Sequence, residues 1–228
     1  MIFINFKTYQ SGTGERAVEM VRLMERVSKE VGVEMGAVVQ AVDVYRVSDG
    51  AGMGIWCQHA DGIEYGAHSG WLLPEAIKDS GAGGVMLNHS ERKFTNIKYQ
   101  ISNIKNKDDD LYCAVERCRA VGLQVMVCAD DLEEVKRMVG LAPDWIAYEP
   151  PELIGNSEIS VSTAKPEVVR QAVEACGQFP LLIGAGVHNE QDIRKGLELG
   201  AAGFLIASAV MLAGNPGEKL RELTGGYR

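Results

Sequence analysis

The sequence is short of what most redox, metal and nucleic-acid chemistries need. Its five cysteines (Cys57, Cys113, Cys118, Cys128 and Cys176) form no C-x-x-C pair, and their odd number argues against a disulfide framework. A reducing cytoplasm is the expected compartment. Cationic side chains are outnumbered, 23 Lys and Arg against 31 Asp and Glu, for a formal net charge of −8. That balance disfavours nucleic acid and anionic membranes as partners. No apolar run approaches the roughly 18 residues that a membrane span requires. The opening Met1-Ile2-Phe3-Ile4-Asn5-Phe6-Lys7 lacks a basic leader and a cleavage site, so a first strand is expected rather than a signal peptide. Histidine is scarce as well. His59-Ala60-Asp61 and His68 offer the start of a metal site, but no third ligand stands at a familiar spacing, and no metal is expected. Nothing resembles a linker, and 228 residues suffice for one sizeable core, which predicts a single domain over residues 1–228.

What is present is a series of short β-branched and apolar runs at residues 2–7, 37–42, 54–60, 84–90, 124–129, 145–150, 180–186 and 203–208. Each has the length of a buried strand. Several are continuously apolar instead of alternating, which suits parallel strands covered on both sides. Between the runs, residues 14–31 place Ala17, Val21, Met24 and Val27 on one stripe with Glu and Arg opposite, and 132–139, 165–176 and 189–199 repeat the helical pattern. Asn189 fits as an N-cap and Gly200 as a stop. The acidic run Asp108-Asp109-Asp110 is expected to cap a helix continuing through Arg119. Alternating units of this kind build an open doubly wound sheet or a closed barrel. Eight strands at this length, with no Gly-rich nucleotide turn after the first, favour an α/β fold with an eight-stranded parallel (β/α) barrel. The polar stretch 93–110 reads as a solvated insertion or a lid-like part over the site.

In such a barrel the chemistry sits at the C-terminal strand ends. Those ends carry Asn5 and Lys7, Gln58 and His59, Asn88 to Glu91, Glu149, Gly184 to Gly186, and Ala207 with Ser208. Polar groups at the tips of apolar strands cost folding energy unless they are paired or used. Singly, Lys7, His89 and Glu149 have ordinary explanations: a solvated lysine, a structural histidine, a local cap. Jointly they suit proton transfer between carbons beside a carbonyl, with the carboxylate as base and the other two as electrophiles toward a developing enolate oxygen. That chemistry calls for no cofactor. The glycine-rich Leu182-Ile183-Gly184-Ala185-Gly186 and the segment Ile206-Ala207-Ser208 offer backbone N–H donors to a phosphate.

Three stretches, Asn5-Phe6-Lys7-Thr8-Tyr9, Asn88-His89-Ser90-Glu91-Arg92 and Tyr148-Glu149-Pro150-Pro151-Glu152-Leu153-Ile154-Gly155, resemble in order and spacing the signatures of the triosephosphate isomerase family. The resemblance covers essentially the whole chain, and the Glu-Pro-Pro-Glu-Leu-Ile-Gly loop and short length are similar to the archaeal branch. It implies a TIM barrel that interconverts dihydroxyacetone phosphate and glyceraldehyde 3-phosphate in glycolysis and gluconeogenesis. It implies Glu149 as the base, His89 as a neutral electrophile, and Lys7 as the cation for the enediolate. Asn5 and Phe6 are implied at the substrate, Glu91 in support, and Ile154, Gly155, Gly184, Ala207 and Ser208 around the phosphate. A homotetramer is implied, with a dimer as fallback, and Ser69-Gly70-Trp71 lies in a loop that touches a neighbouring subunit in this family.

The sequence also departs from the family pattern. Gly186 stands where many members have serine, so one hydroxyl contact to phosphate is expected to be missing. The lid tip, residues 156–160, lacks the usual Thr-Gly pair and carries Glu158. The alternatives are another sugar-phosphate barrel enzyme, such as an epimerase, and a non-catalytic barrel. The first commonly needs metal-binding histidines and acids on several strands, and the second should have lost one of Lys7, His89 or Glu149.

Overall fold

The computed structural model describes residues 1–94, 109–154 and 160–228. Its strands are β1 (Ile2–Asn5), β2 (Met35–Val39), β3 (Gly54–Cys57), β4 (Gly84–Leu87), β5 (Gln124–Ala129), β6 (Trp145–Tyr148), β7 (Leu181–Ile183) and β8 (Gly203–Ile206). They pair in parallel in chain order, and β8 returns to β1 with Ile2 opposite Phe204, so the sheet closes into an eight-stranded barrel. The helices are α1 (Glu15–Val31), α2 (Val44–Ser48), α3 (Pro74–Asp79), α4 (Asp109–Ala120), α5 (Leu132–Val139), α6 (Val161–Ala164), α7 (Pro166–Cys176), α8 (Glu190–Glu198), α9 (Ser208–Met211) and α10 (Pro216–Gly225).

The barrel has two cores, and strand periodicity assigns residues to each. Phe3, Val38, Trp56, Met86, Met126, Cys128, Ala147, Leu182 and Leu205 form one cluster, which takes a residue from every strand and fills the interior. Their neighbours Ile2, Ile4, Val39, Ile55, Val85, Leu87 and Ile183 belong to the other cluster, between the sheet and the helices. Successive side chains of a strand point to opposite faces, so one short apolar run serves both cores. The rings of Phe3 and Trp56 meet edge to face at 5.1 Å. Gly84 makes room for the second of these, because a Cβ there would stand 2.6 Å from the indole.

The expected helical stripe holds. Ala17, Val21, Met24 and Val27 are all buried on α1. Asn189 caps α8 by accepting the Asp192 N–H. The helix through Arg119 is present as α4, while Asp108 and most of 93–110 lie outside the described residues. Sequence periodicity does not announce α2, α3 or α9, which are too short to show a stripe. The start of α10 is announced by other means: Asn215 accepts the Glu218 N–H and Pro216 occupies the first turn.

Every strand but β5 stops short of its apolar run at the C-terminal end. The first run extends to Lys7 but β1 ends at Asn5, the fourth extends to Ser90 but β4 ends at Leu87, and the seventh extends to Gly186 but β7 ends at Ile183. The cause is local. Lys7, Asn88 and Ala185 adopt left-handed backbone, with φ of 45°, 60° and 63°, and a ladder cannot continue through it.

Candidate active site

Those three bends aim the site. A non-glycine residue in left-handed backbone costs about 1–3 kcal/mol and persists where its surroundings fix it, so such positions mark functional turns. Among the described residues there are four such positions, and three of them follow β1, β4 and β7 at one end of the barrel. Two residues on from Phe3, Trp56, Met86, Met126, Ala147, Leu182 and Leu205, the same inward face presents Asn5, Gln58, Asn88, Cys128, Glu149, Gly184 and Ala207. The apolar plug thus ends in a polar floor.

Asn5 is buried and holds the turn after β1. Its Oδ1 accepts the Lys7 N–H at 3.0 Å and the Gln58 side-chain amide at 3.3 Å, and the same amide donates to the Lys7 carbonyl at 3.0 Å. The turn carries Lys7 Nζ to Glu91 Oε1 at 2.9 Å. Asn88 braces the turn after β4 by donating to the Cys128 carbonyl at 3.1 Å, while its Oδ1 accepts the Phe94 N–H.

His89 and Glu149 are both buried and face each other, His89 Nε2 lying 3.5 Å from Glu149 Oε2. Neither atom has a hydrogen-bond partner, and the separation is too long for a good bond. Two unsatisfied polar atoms side by side in a buried place call for a partner that can reach both. His89 Nδ1 accepts the Glu91 N–H at 3.2 Å, which assigns the ring proton to Nε2, the nitrogen nearer Glu149. Burial, and then the nearby Lys7 charge, hold the His89 pKa down at about 4, so the ring is neutral. The 3.5 Å contact is therefore not a salt bridge. Burial pushes Glu149 the other way, to about 7, against the pull of Lys7 and a hydrogen bond from the Cys128 thiol.

Asn5, Lys7, Tyr9, Glu149, Ile154 and the β7 and β8 loops line one cleft. At its far end Ala185, Gly186 and Val187 face Ala207, Ser208 and Ala209. Ser208 and Ala209 open α9, so their N–H groups have no intrahelical acceptor and are free for an anion. Pro150-Pro151 leads the chain out of β6, and the Glu152 carboxylate pairs with Lys165. Gly155 and residues 156–159 lie outside the described residues, whereas Ser160 is buried and caps α6 by accepting the Thr163 N–H at 3.3 Å.

The family model for triosephosphate isomerase matches residues 1–221 of this chain. The chain belongs to the triosephosphate isomerase family. Curated relatives agree. The enzyme named triosephosphate isomerase from Methanocaldococcus jannaschii is 38% identical over 227 residues, covering 98% of each chain. The one from Sulfurisphaera tokodaii is 41% identical over 225 residues, covering 97% of this chain and 92% of the relative. These relatives are archaeal, in keeping with the short loop forms. Among solved structures, a triosephosphate isomerase from Bartonella henselae superposes with a TM-score of 0.73 at 22% identity, covering 100% of this chain and 98% of that one, and so supports the fold.

Against the family signature, the structure brings together Asn5, Lys7, Glu149, Ile154, Ala207 and Ser208 around the cleft. His89 does not line it and meets it across Glu149. The Phe6 side chain does not line the cleft and is fully buried in the cluster between sheet and helices, on the face opposite Asn5. His188 also lines the cleft, with Nε2 buried and unbonded. His59 pairs with Asp61 at 3.2 Å, while His68 packs against Trp71 with ring centroids 5.8 Å apart and planes tilted by 48°. Among the described residues no cluster of three or more His, Cys, Asp or Glu could hold a metal ion, and no helix is long and apolar enough to cross a membrane.

Gln58 stands at a strand end and Tyr9 in a signature stretch, but the sequence assigns neither a role, and no motif includes Cys128. Cys128 is nevertheless legible by periodicity, two residues beyond the buried Met126.

Proposed function

We propose that the chain interconverts dihydroxyacetone phosphate and glyceraldehyde 3-phosphate through an enediolate, as one barrel domain acting without a cofactor. The division of roles, a glutamate base with a neutral histidine, is the scheme already worked out for this family. Glu149 takes the proton from the first carbon and returns it at the second. His89 Nε2–H and Lys7 Nζ stabilise the oxygen on which charge develops. Asn5 holds Lys7, and Glu91 holds both Lys7 and the His89 tautomer. The N–H groups about Ala207 and Ser208, with Gly155 and Ile154 from the lid, hold the phosphate. Gly184 gives Glu149 its space. Assembly into a homotetramer in the cytoplasm completes the reading.

The observation that carries it is the unbonded pair His89 Nε2 and Glu149 Oε2 at 3.5 Å, a neutral donor opposite a carboxylate held near neutrality by burial. A substrate that lies beside the pair, its carbonyl oxygen against His89 Nε2–H and its C–H against the Glu149 carboxylate, satisfies both. The chelator-treated protein is expected to interconvert the two triose phosphates in a coupled assay. Absence of turnover rejects the reading.

The pH profile follows from the same pair. Base catalysis needs Glu149 ionised, so kcat/KM of the free enzyme is expected to fall about tenfold per unit as the pH drops below about 7. His89 contributes no second limb until about pH 4. A profile flat from pH 8 to 5 assigns the base elsewhere.

A further inference from the structure

Lys93 opens the stretch that reads from sequence as a solvated insertion, yet its ammonium is drawn inward, with a side chain only 19% exposed. Its Nζ lies 2.8 Å from Asp130 Oδ1 and 2.6 Å from Glu134 Oε2. The contact with Asp130 is close but off the hydrogen-bond axis, since that oxygen has no directed partner, so it acts chiefly through charge. Glu134 Oε2 also accepts the Asp130 N–H at 2.9 Å. One lysine thereby ties the turn that carries His89 to the end of β5 and the start of α5.

That end of β5 is the wall against which Glu149 rests. The Glu149 N–H donates to the Ala129 carbonyl at 2.9 Å, the Cys128 thiol hydrogen-bonds its carboxylate, and Asn88 donates to the Cys128 carbonyl. The charges around the base form two pairs. Lys7 with Glu91 lies on one side, Lys93 with Asp130 on the other. Glu149 is faced by Lys7 from the turn after β1, by His89 and Glu91 from the turn after β4, by Cys128 near the end of β5 and Asp130 just beyond it, and by the uncharged Gly184 just beyond β7. His89 is faced by Lys7, Glu91, Lys93 and Glu149.

We propose that Lys93 is a positioning residue for the proposed isomerisation, one that clamps the His89 turn onto the end of β5 and neutralises the Asp130 carboxylate that faces the base. It touches neither substrate nor reacting atoms. Its effect passes through the charge that Glu149 and His89 experience. The inference rests on Glu149 being the base.

Asp130 opposes ionisation of Glu149, and Lys93 cancels Asp130. Removing the cation and removing the anion therefore act with opposite sign. In Lys93→Met, Asp130 faces Glu149 uncompensated, and the acid limb of kcat/KM is expected to move up by about one pH unit. In Asp130→Asn the limb is expected to move down. The double variant returns it toward its original position, and Lys93→Arg leaves it in place. A clamp that was merely structural predicts something else, namely the same fractional loss of kcat at every pH with an unmoved limb. That result, or limbs that move in the same direction in both single variants, overturns the proposal. A carbon-13 titration of the Glu149 carboxyl in the same four proteins reads the shift without turnover. If the wild-type protein fails to isomerise, the functional reading falls, while opposite shifts in that titration still support the Lys93 assignment and identical ones reject it. Asp130→Asn is nearly isosteric and keeps the backbone of the turn, so it reports even if Lys93→Met does not fold.

Discussion

Replacing Glu149 by Gln is expected to lower kcat/KM by about 10⁴-fold and, above pH 7, to raise the melting temperature. The two effects share one cause. Burial lifts the carboxyl from 4.5 to about 7, so between those values the folded chain holds a proton that the unfolded chain has released. Stability is then greatest below the unfolded value and declines as pH rises, reaching its full deficit once the folded carboxyl ionises, a loss on the order of 3 kcal/mol. The amide occupies the same space, cannot ionise, and removes that deficit together with the base. Initial rates in both directions, with melts at acid pH and above pH 7, check the expectation. Turnover within tenfold of wild type would mean that another group takes the proton. A melting temperature unchanged above pH 7 would mean that the charged carboxylate is not under strain.

The parts of this molecule that were readable in sequence are those governed by period and by local chemistry. Short apolar runs marked the strands, and the two-residue period of a strand points onward from Phe3 and Met86 to Asn5 and Asn88 on the same inward face. The α1 stripe and the Asn189 cap follow from equally local rules. Less legible were features that arise where distant segments meet. Phe6 sits inside a site motif, but one step along a strand turns it to the opposite face from Asn5. Lys93 looks solvated because nothing nearby in sequence names Asp130 or Glu134 as partners. Left-handed backbone at Lys7, Asn88 and Ala185 has no glycine to announce it, since tertiary contacts impose it. His188 and Tyr9 reach the cleft by the shape of their loops rather than by residue type. The ordinary rules thus gave the scaffold, while the tuning of the site lies in contacts between strand ends that are far apart in the chain.

The substitution Gly184→Ala tests that tuning without touching a charged group. Gly184 does not adopt left-handed backbone, so alanine meets no conformational penalty there. Its N–H bond to the Tyr148 carbonyl, at 3.0 Å, belongs to the main chain and survives the change. The obstacle is the base itself. A Cβ at this position would stand 2.4 Å from both Cγ and Oε1 of Glu149 and 2.6 Å from Cδ, closer than carbon atoms approach, so the carboxylate must retreat by about 1 Å. A misplacement of that size costs about 10²-fold in rate, because proton transfer depends steeply on the aim of the base. The loss is expected in kcat more than in KM, since the phosphate end of the cleft is untouched. Glu149→Asp separates crowding from any general disturbance of β7. The shorter side chain withdraws from the added methyl, so the double variant is expected to lose little more than Glu149→Asp alone, a strongly non-additive cycle. Additive losses would show that Gly184→Ala acts through the fold of the β7 loop and not through the position of the base.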